Sequence, residues 1–150
     1  MSNENCISMK QITAEVTLKV RFSETDAMGV VWHGNYLKFF EDAREHFGQV
    51  HKMEYLDVYN NGFFTPIVKS EINHKAVVYY GQEVKVKARL IYCAAAKILF
   101  NYEVINLTTN EIAAIGSTMQ VFMDASSRTL TLNKPDFYSK WENNQLWENV

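Results

Sequence analysis

The stretch of sequence with the clearest chemical potential is the connection TDAMGVVWHGNY, which covers residues 25–36. It combines a carboxylate, Asp26, with two glycines and with His33, and it runs directly into an aromatic-rich segment. A carboxylate held in such a loop can act as a general base or as a nucleophile. A connection that only reversed the chain would not need this set of side chains, so we interpret the stretch as an active site centred on Asp26.

The end of this connection is predicted to start a helix, with Gly34 or Asn35 as the N-cap. The first N–H groups of a helix have no partner inside the helix and carry the positive end of its dipole. Gly34 is expected to leave these donors uncovered, so that a substrate oxygen can approach them and be stabilised as it becomes negative.

The same residues also have plainer interpretations. Aspartate is common in turns, and spacing alone explains Asp26 as well as a catalytic role does. The imidazole of His33 can position water, orient Asp26 or be purely structural. For Trp32, Tyr36 and Phe64, packing in the core is at least as good an interpretation as lining an acyl pocket.

The elements beside the connection follow two different periods. Residues 12–22 alternate between apolar and polar side chains, which predicts a half-buried strand with Phe22 on its inner face. Residues 36–50 change to helical spacing and predict a helix with a broad apolar face. That face consists of Tyr36, Leu37, Phe39, Phe40, Ala43, Phe47 and Val50.

The rest of the chain is predicted to be mainly strands. They cover residues 63–73, 83–92, 97–106 and 112–124, with a short strand near 128–132 and a short helix at 134–148. Short connections favour antiparallel pairing of these strands. The helix at residues 36–50 is rich in aromatic side chains and must be packed against other elements over most of its circumference. We therefore predict one α+β domain over residues 1–150, an antiparallel curved sheet wrapped around one long central helix.

Composition excludes several classes of function. The chain has 150 residues, 47% of them hydrophobic, and a net charge of −2, which suits one soluble domain and lacks the basic footprint of a nucleic-acid partner. No run approaches the ~20 apolar residues of a membrane span, and the N-terminus lacks the pattern of a signal peptide. With only Cys6 and a predicted buried Cys93, the expected location is the reducing cytoplasm. The histidines show no metal spacing, so no metal is predicted.

The strand order and the segment ETDAMGVVWHGNYLKFFEDARE together resemble the hotdog-fold acyl-CoA thioesterases, in particular the branch related to 4-hydroxybenzoyl-CoA thioesterase. The resemblance is carried by Asp26, Gly29, Val30, Val31, Trp32, His33, Tyr36 and Arg44. It implies hydrolysis of an acyl-CoA to free acid and CoA, with Asp26 as the catalytic carboxylate. It also implies that a backbone N–H of His33 or Gly34 polarises the thioester carbonyl.

Further expectations concern the substrate and the assembly. The substrate is predicted to contact Gly29, Val31, Trp32, Tyr36 and Phe64. No cofactor is expected, since CoA is part of the substrate, although an acyl carrier protein is an alternative carrier. A homodimer or homotetramer is predicted, because a lone curled sheet leaves an unpaired edge.

Two rival functions are weaker on the sequence. Proteins of similar fold that act as hydratases or dehydratases place Asp and His closer together, with Asn and Pro between them, or pair a His with an acid across the dimer. This chain lacks the Asn-Pro spacing. A non-catalytic acyl-CoA-binding protein would have little use for an aspartate facing the thioester, and the residues before the first strand are too few for a DNA-binding module.

Overall fold

The computed structural model describes residues 10–150, so the predictions about Cys6 and the N-terminal stretch lie outside the described residues. The strands are β1 (Lys10–Lys19), β2 (Phe63–Phe64), β3 (Ile67–His74), β4 (Glu83–Ile91), β5 (Lys97–Asn106), β6 (Glu111–Val121), β7 (Met123–Asp124) and β8 (Glu148–Asn149). The helices are α1 (Asn35–His51), α2 (Tyr55–Asn60) and α3 (Asp136–Asn143).

Six of the strands form one sheet in the order β3-β6-β5-β4-β1-β8, and β2 pairs with β7 beside it. Every pairing between strands of residues 10–150 is antiparallel, and the short connections predicted this for most of them. The predicted strand at 97–106 agrees with β5 at both ends. The predicted strand at 63–73 is divided between β2 and β3, because Pro66 cannot donate to a strand ladder.

Helix α1 lies against one face of this sheet, and aromatic rings make the contact. Phe40 stacks almost parallel on Tyr102 of β5 with 4.3 Å between ring centroids, and Phe47 meets Phe100 edge-on at 4.9 Å. The close approach requires Gly116 on β6, since a Cβ there would lie 2.6 Å from the Phe40 ring. The predicted sheet wrapped around a central helix is therefore confirmed.

Several predicted side-chain positions are wrong. Phe22 is 78% exposed, because β1 ends at Lys19 and the chain enters a 3-10 turn at Phe22–Glu24. Leu37 and Val50 are exposed, so the buried stripe of α1 is narrower than predicted.

Differences also occur in the second half of the chain. Helix α2 was not predicted; its first turn is closed by the side chains of Glu54 and Asp57, which accept each other's backbone N–H groups. The expected strand at 128–132 is reduced to a single bridge between Met123 and Leu130. The terminal helix is shorter than predicted, because it ends at Asn143.

Two simpler predictions agree with the structure. Cys93 is buried. The alternating charges of the outer strand face predict a solvated surface in preference to a contact with CoA phosphates. In the structure, Lys85 is paired with Glu15 at 3.1 Å and Arg89 with Glu103 at 2.9 Å. Such cross-strand pairs are typical of an ordinary solvated face. Within residues 10–150, none of the helices combines the length and the apolar character needed to span a bilayer.

Candidate functional site

Asp26 lies in a tight hairpin whose two arms meet at a bridge between Thr25 and Val31. The N–H of Asp26 donates to the carbonyl of Val30 at 2.9 Å, and the N–H of Gly29 donates to the carbonyl of Asp26 at 2.9 Å. Gly29 has a φ of 78°, a conformation that favours glycine. A turn closed by such a residue is common in short hairpins, so the backbone alone accounts for this glycine.

Asp26 is half-buried, and its carboxylate is held at one of its two oxygens. Oδ1 accepts the N–H of Met28 at 2.9 Å, which fixes the side chain over the turn. The other oxygen, Oδ2, has no hydrogen-bond partner among residues 10–150. One carboxylate oxygen is therefore oriented by the loop and the second is available to a substrate or to water.

The hairpin is fastened to the connection between β3 and β4. The N–H of Val31 donates to the carbonyl of Val78 at 2.8 Å, and the N–H of Tyr80 donates to the carbonyl of Gly29 at 3.0 Å. Val31 itself is buried in the core. Val31 is predicted to contact the substrate, and in the structure it anchors the hairpin to the core.

Two backbone donors are unused at the start of α1. The turn before the helix is closed by the N–H of Asn35, which donates to the carbonyl of Trp32 at 2.9 Å. The N–H groups of His33 and Gly34 meet no acceptor within residues 10–150. The imidazole of His33 is exposed and likewise has no hydrogen-bond partner there. Two adjacent donors at the positive end of the helix are thus available to an anionic oxygen.

The ring of Trp32 covers one side of Gly34. A Cβ at Gly34 would lie only 2.2 Å from this ring, and the ring is tilted against the imidazole of His33 with 5.0 Å between centroids. The expectation that Gly34 leaves the helix start uncovered is therefore wrong on this side, where the glycine makes room for tryptophan. Since Trp32 is itself 50% exposed, it forms an accessible wall beside the free donors.

Tyr36 is part of the core rather than of an open pocket wall. Its ring is buried and meets the rings of Phe39 at 5.7 Å and His74 at 5.0 Å. This burial raises the pKa of the Tyr36 hydroxyl. The contact also brings His74, at the end of β3, beside the first turn of α1, a proximity that no spacing in the sequence indicates.

Sequence reasoning missed Glu24, which connects the hairpin to the helix. Its side chain, which is almost fully buried, accepts the N–H of Arg21 at 2.8 Å and the ammonium of Lys38 at 3.0 Å. Its backbone carbonyl accepts the N–H of Trp32 at 3.0 Å and Nδ2 of Asn35 at 2.7 Å. These four bonds fix the segment that carries Asp26 relative to the free donors at the start of α1.

Glu24 keeps its charge in this position. Burial alone would raise the pKa of its carboxyl, but the hydrogen bond from Arg21 and the nearby ammonium of Lys38 outweigh burial and lower that pKa. The only sequence signal for this role was an acid beside the motif, at the end of a strand.

We predict that Lys38→Met lowers kcat for the reaction of this site about tenfold, because small displacements of catalytic groups are costly. Lys38→Arg should retain most of the activity, since it keeps a cation within reach of Glu24. The control is Lys85→Met, which removes a lysine of similar exposure from the outer sheet face, where it pairs with Glu15 at 3.1 Å. Equal kcat values for the Lys38→Met and Lys85→Met proteins would contradict a positioning role.

A cavity of about 860 Å³ lies beside the second half of α1, between this helix, α2 and the sheet. Phe64 lies in its wall, and none of the other predicted site residues does. Asp26, Gly29, Val31, Trp32, His33, Gly34 and Tyr36 therefore lie in the hairpin and in the helix start that follows it, and Phe64 lies elsewhere. Among the residues that the structure describes, no three His, Cys, Asp or Glu side chains cluster as metal ligands, and the absence of a metal stays a prediction.

Comparison with known proteins places this arrangement in a family. A family model described as the thioesterase-like superfamily matches residues 20–141. A Bacillus subtilis protein whose name proposes an acyl-CoA thioesterase is 27% identical over 128 residues, which are 83% of this chain and 92% of that protein.

Solved structures agree. DHNA-CoA thioesterase from Staphylococcus aureus has a TM-score of 0.77 and 27% identity over 92% of this chain and 99% of its own. The 1,4-dihydroxy-2-naphthoyl-CoA thioesterase from Synechocystis has a TM-score of 0.78 at 19% identity, over 89% of this chain and 97% of its own, and shows the same fold. The predicted hotdog fold and the family resemblance are confirmed.

Proposed function

Because this chain belongs to the thioesterase-like superfamily and is a thioester hydrolase, we propose that it cleaves acyl-CoA thioesters with Asp26 as general base or nucleophile. The N–H groups of His33 and Gly34 form the oxyanion site. The observation that carries this proposal is the pair of donors at the start of α1 that have no partner in the described part of the chain. They adjoin a hairpin whose carboxylate has one oxygen without a partner in the same residues.

Two routes use these groups. As a base, Asp26 takes a proton from water while the water oxygen attacks the thioester carbon; the C–S bond then breaks and CoA leaves as the thiolate. As a nucleophile, Asp26 attacks the same carbon, the thiolate leaves, and water hydrolyses the resulting anhydride to restore the carboxylate. In both routes the carbonyl oxygen becomes negative and is stabilised by the two N–H groups. A thiolate is a good leaving group, so no strong general acid is required.

CoA is the proposed carrier because the relatives are named for CoA thioesters. Gly29 and Trp32 adjoin the reacting groups and are proposed to contact the substrate. The imidazole of His33, which makes no hydrogen bond within residues 10–150, is proposed to position water.

The proposal is tested by release of free thiol from acetyl-, butyryl-, octanoyl-, palmitoyl-, benzoyl- and 4-hydroxybenzoyl-CoA. Hydrolysis of at least one substrate is expected, and the rank order gives the acyl class. If folded protein releases no thiol from any of them, the same panel on acyl carrier protein separates a wrong carrier from a wrong function.

We also propose that the protein is a homodimer joined through β3. This strand has β6 on one side and no strand on the other within the described part of the chain, and most of its side chains are exposed. Native proteins pair or protect such an edge.

Sedimentation at micromolar concentration should therefore give at least twice the 17.4 kDa of one chain. Val68→Lys places a charge on the exposed edge strand and is expected to shift the protein toward the monomer. Leu132→Lys adds the same charge at an apolar residue outside the strands and should leave the mass unchanged. A wild-type protein that sediments only as the monomer would overturn the dimer.

A further inference from the structure

One face of α1 leads from the helix start into the cavity. Gly34, Leu37, Glu41, Arg44 and Gly48 follow one another at intervals of three and four residues, which places them on a single helix face. The last three line the cavity, and Leu37, which is exposed, lies between them and the free donors. With a rise of 1.5 Å per residue, Glu41 lies about 10 Å and Arg44 about 15 Å along the helix from Gly34.

The cavity has apolar walls and a polar floor. The walls include Phe47, Met53, Val58, Phe64, Ile98 and Phe100. On the floor, Gln120 is only 7% exposed, and its Nε2 donates to the carbonyl and to the hydroxyl of Thr65 at 2.8 and 3.2 Å. Its Oε1 accepts no hydrogen bond within residues 10–150. In the same residues, every fully buried side-chain nitrogen or oxygen has a hydrogen-bond partner, so Oε1 is not fully buried. This amide oxygen is therefore an acceptor open to the cavity.

The same cavity has a donor in its lining, the guanidinium of Arg44. Nη1 of Arg44 donates to the hydroxyl of Tyr102 at 3.2 Å, and this hydroxyl lies 2.7 Å from that of Thr118. Thr118 and Gln120 are two residues apart on β6 and so share a face of the sheet, about 7 Å from each other. A guanidinium has five N–H groups. Within residues 10–150, Nη1 of Arg44 makes the hydrogen bond to Tyr102, and Nη2 lies 3.7 Å from Oε1 of Glu41, an ion pair that is too long for a hydrogen bond. Arg44 thus has N–H groups left for a ligand in the cavity that is also lined by Gln120.

We propose that the cavity binds the distal part of the acyl chain and that Arg44 and Gln120 together bind a hydroxyl group carried there. A hydroxyl can accept from the guanidinium and donate to the amide oxygen at once. An ionised carboxylate has no hydrogen to donate to the amide oxygen of Gln120. Glu41 and Glu45, which also line the cavity, would offset its attraction to Arg44.

The length of the path defines the substrate class. An extended chain covers about 1.2 Å per bond. The 10 to 15 Å along α1 therefore correspond to about 8 to 12 bonds between the thioester carbon and the hydroxyl oxygen. The substrate class is a medium-chain acyl-CoA hydroxylated near its far end. This inference rests on the proposed function, because the thioester must lie at the donors of His33 and Gly34.

The test compares decanoyl-CoA with 10-hydroxydecanoyl-CoA. Wild-type kcat/KM should be about tenfold or more higher for the hydroxylated substrate, because a site built to bind a hydroxyl discriminates against an analogue that lacks it. Arg44→Met and, independently, Gln120→Met should each remove most of this preference, with folding checked by circular dichroism. Lys85→Met on the outer sheet face should keep it. The ratio of kcat/KM between 4-hydroxybenzoyl-CoA and benzoyl-CoA should not change in either variant, because the ring hydroxyl of 4-hydroxybenzoyl-CoA is too close to the thioester to reach Arg44 and Gln120.

The outcomes separate this inference from the proposed function. If both decanoyl substrates are hydrolysed equally well by the wild type, the inference is overturned and the thioesterase activity stands. A preference that persists in both the Arg44→Met and Gln120→Met proteins overturns the assignment to these residues. If no thioester is hydrolysed, the proposed function fails, and calorimetry with 10-hydroxydecanoate and decanoate still tests the cavity. Equal affinity for the two acids would then reject the hydroxyl site in the cavity. Tighter binding of the hydroxy acid that is lost in the Gln120→Met protein would support this site.

Discussion

Asp26→Asn is expected to leave the fold intact and to lower kcat for acyl-CoA hydrolysis by about 10²-fold or more, the range of a positioned acid–base group. The amide oxygen can still accept the N–H of Met28 as Oδ1 does at 2.9 Å, so the turn is preserved. The group that replaces Oδ2, which has no partner in the described part of the chain, can neither accept a proton nor attack a carbonyl. The loss should therefore appear in kcat, measured by thiol release, and not in the melting temperature.

The matched control is Asp136→Asn, the same substitution at an exposed aspartate in the first turn of α3. It should leave kcat unchanged. A folded Asp26→Asn protein with wild-type turnover would refute both routes of catalysis, since each needs the carboxylate. A variant that loses activity only because it unfolds would show the loss in circular dichroism as well.

The placement of Asp26 before a helix could be predicted from the sequence because the signals are local. Alternation in residues 12–22 and helical spacing in residues 36–50 leave only a short connection between the two elements. The solvent exposure of individual side chains was less predictable, because it depends on packing against residues that are distant in the sequence. Leu37 fits the apolar period of α1, yet it is exposed on the face that leads toward the cavity.

The features of the site that could not be predicted from the sequence are contacts between residues that are far apart along the chain. Glu24 and Lys38 are 14 residues apart and meet only because the chain folds back onto α1. Phe64 was assigned to the acyl pocket by residue type alone, and its place in the cavity wall follows from the division of the predicted strand into β2 and β3. The cover of Gly34 by Trp32 depends on a side-chain rotamer, which residue types do not specify.

The second large effect is expected from the backbone at His33, where two substitutions separate the side chain from the N–H group. His33→Ala removes the imidazole and keeps the donor; His33→Pro removes both. Proline suits this position because His33 follows Trp32 as the second residue of a turn closed by the N–H of Asn35, and its own N–H makes no hydrogen bond within residues 10–150. Residue 33 is also not among those with a positive φ.

His33→Pro is expected to lower kcat by about 10² to 10³-fold relative to His33→Ala, the usual effect of losing one oxyanion donor. The comparison uses thiol release at saturating acyl-CoA, with circular dichroism to establish that the turn before α1 is retained. If the two variants have the same kcat, the N–H of His33 does not stabilise the transition state, and the oxyanion site is reduced to the donor of Gly34. If His33→Ala already lowers kcat as far as His33→Pro does, the imidazole is the group that matters for catalysis. Water or the thioester is then positioned by this side chain and not by the helix start.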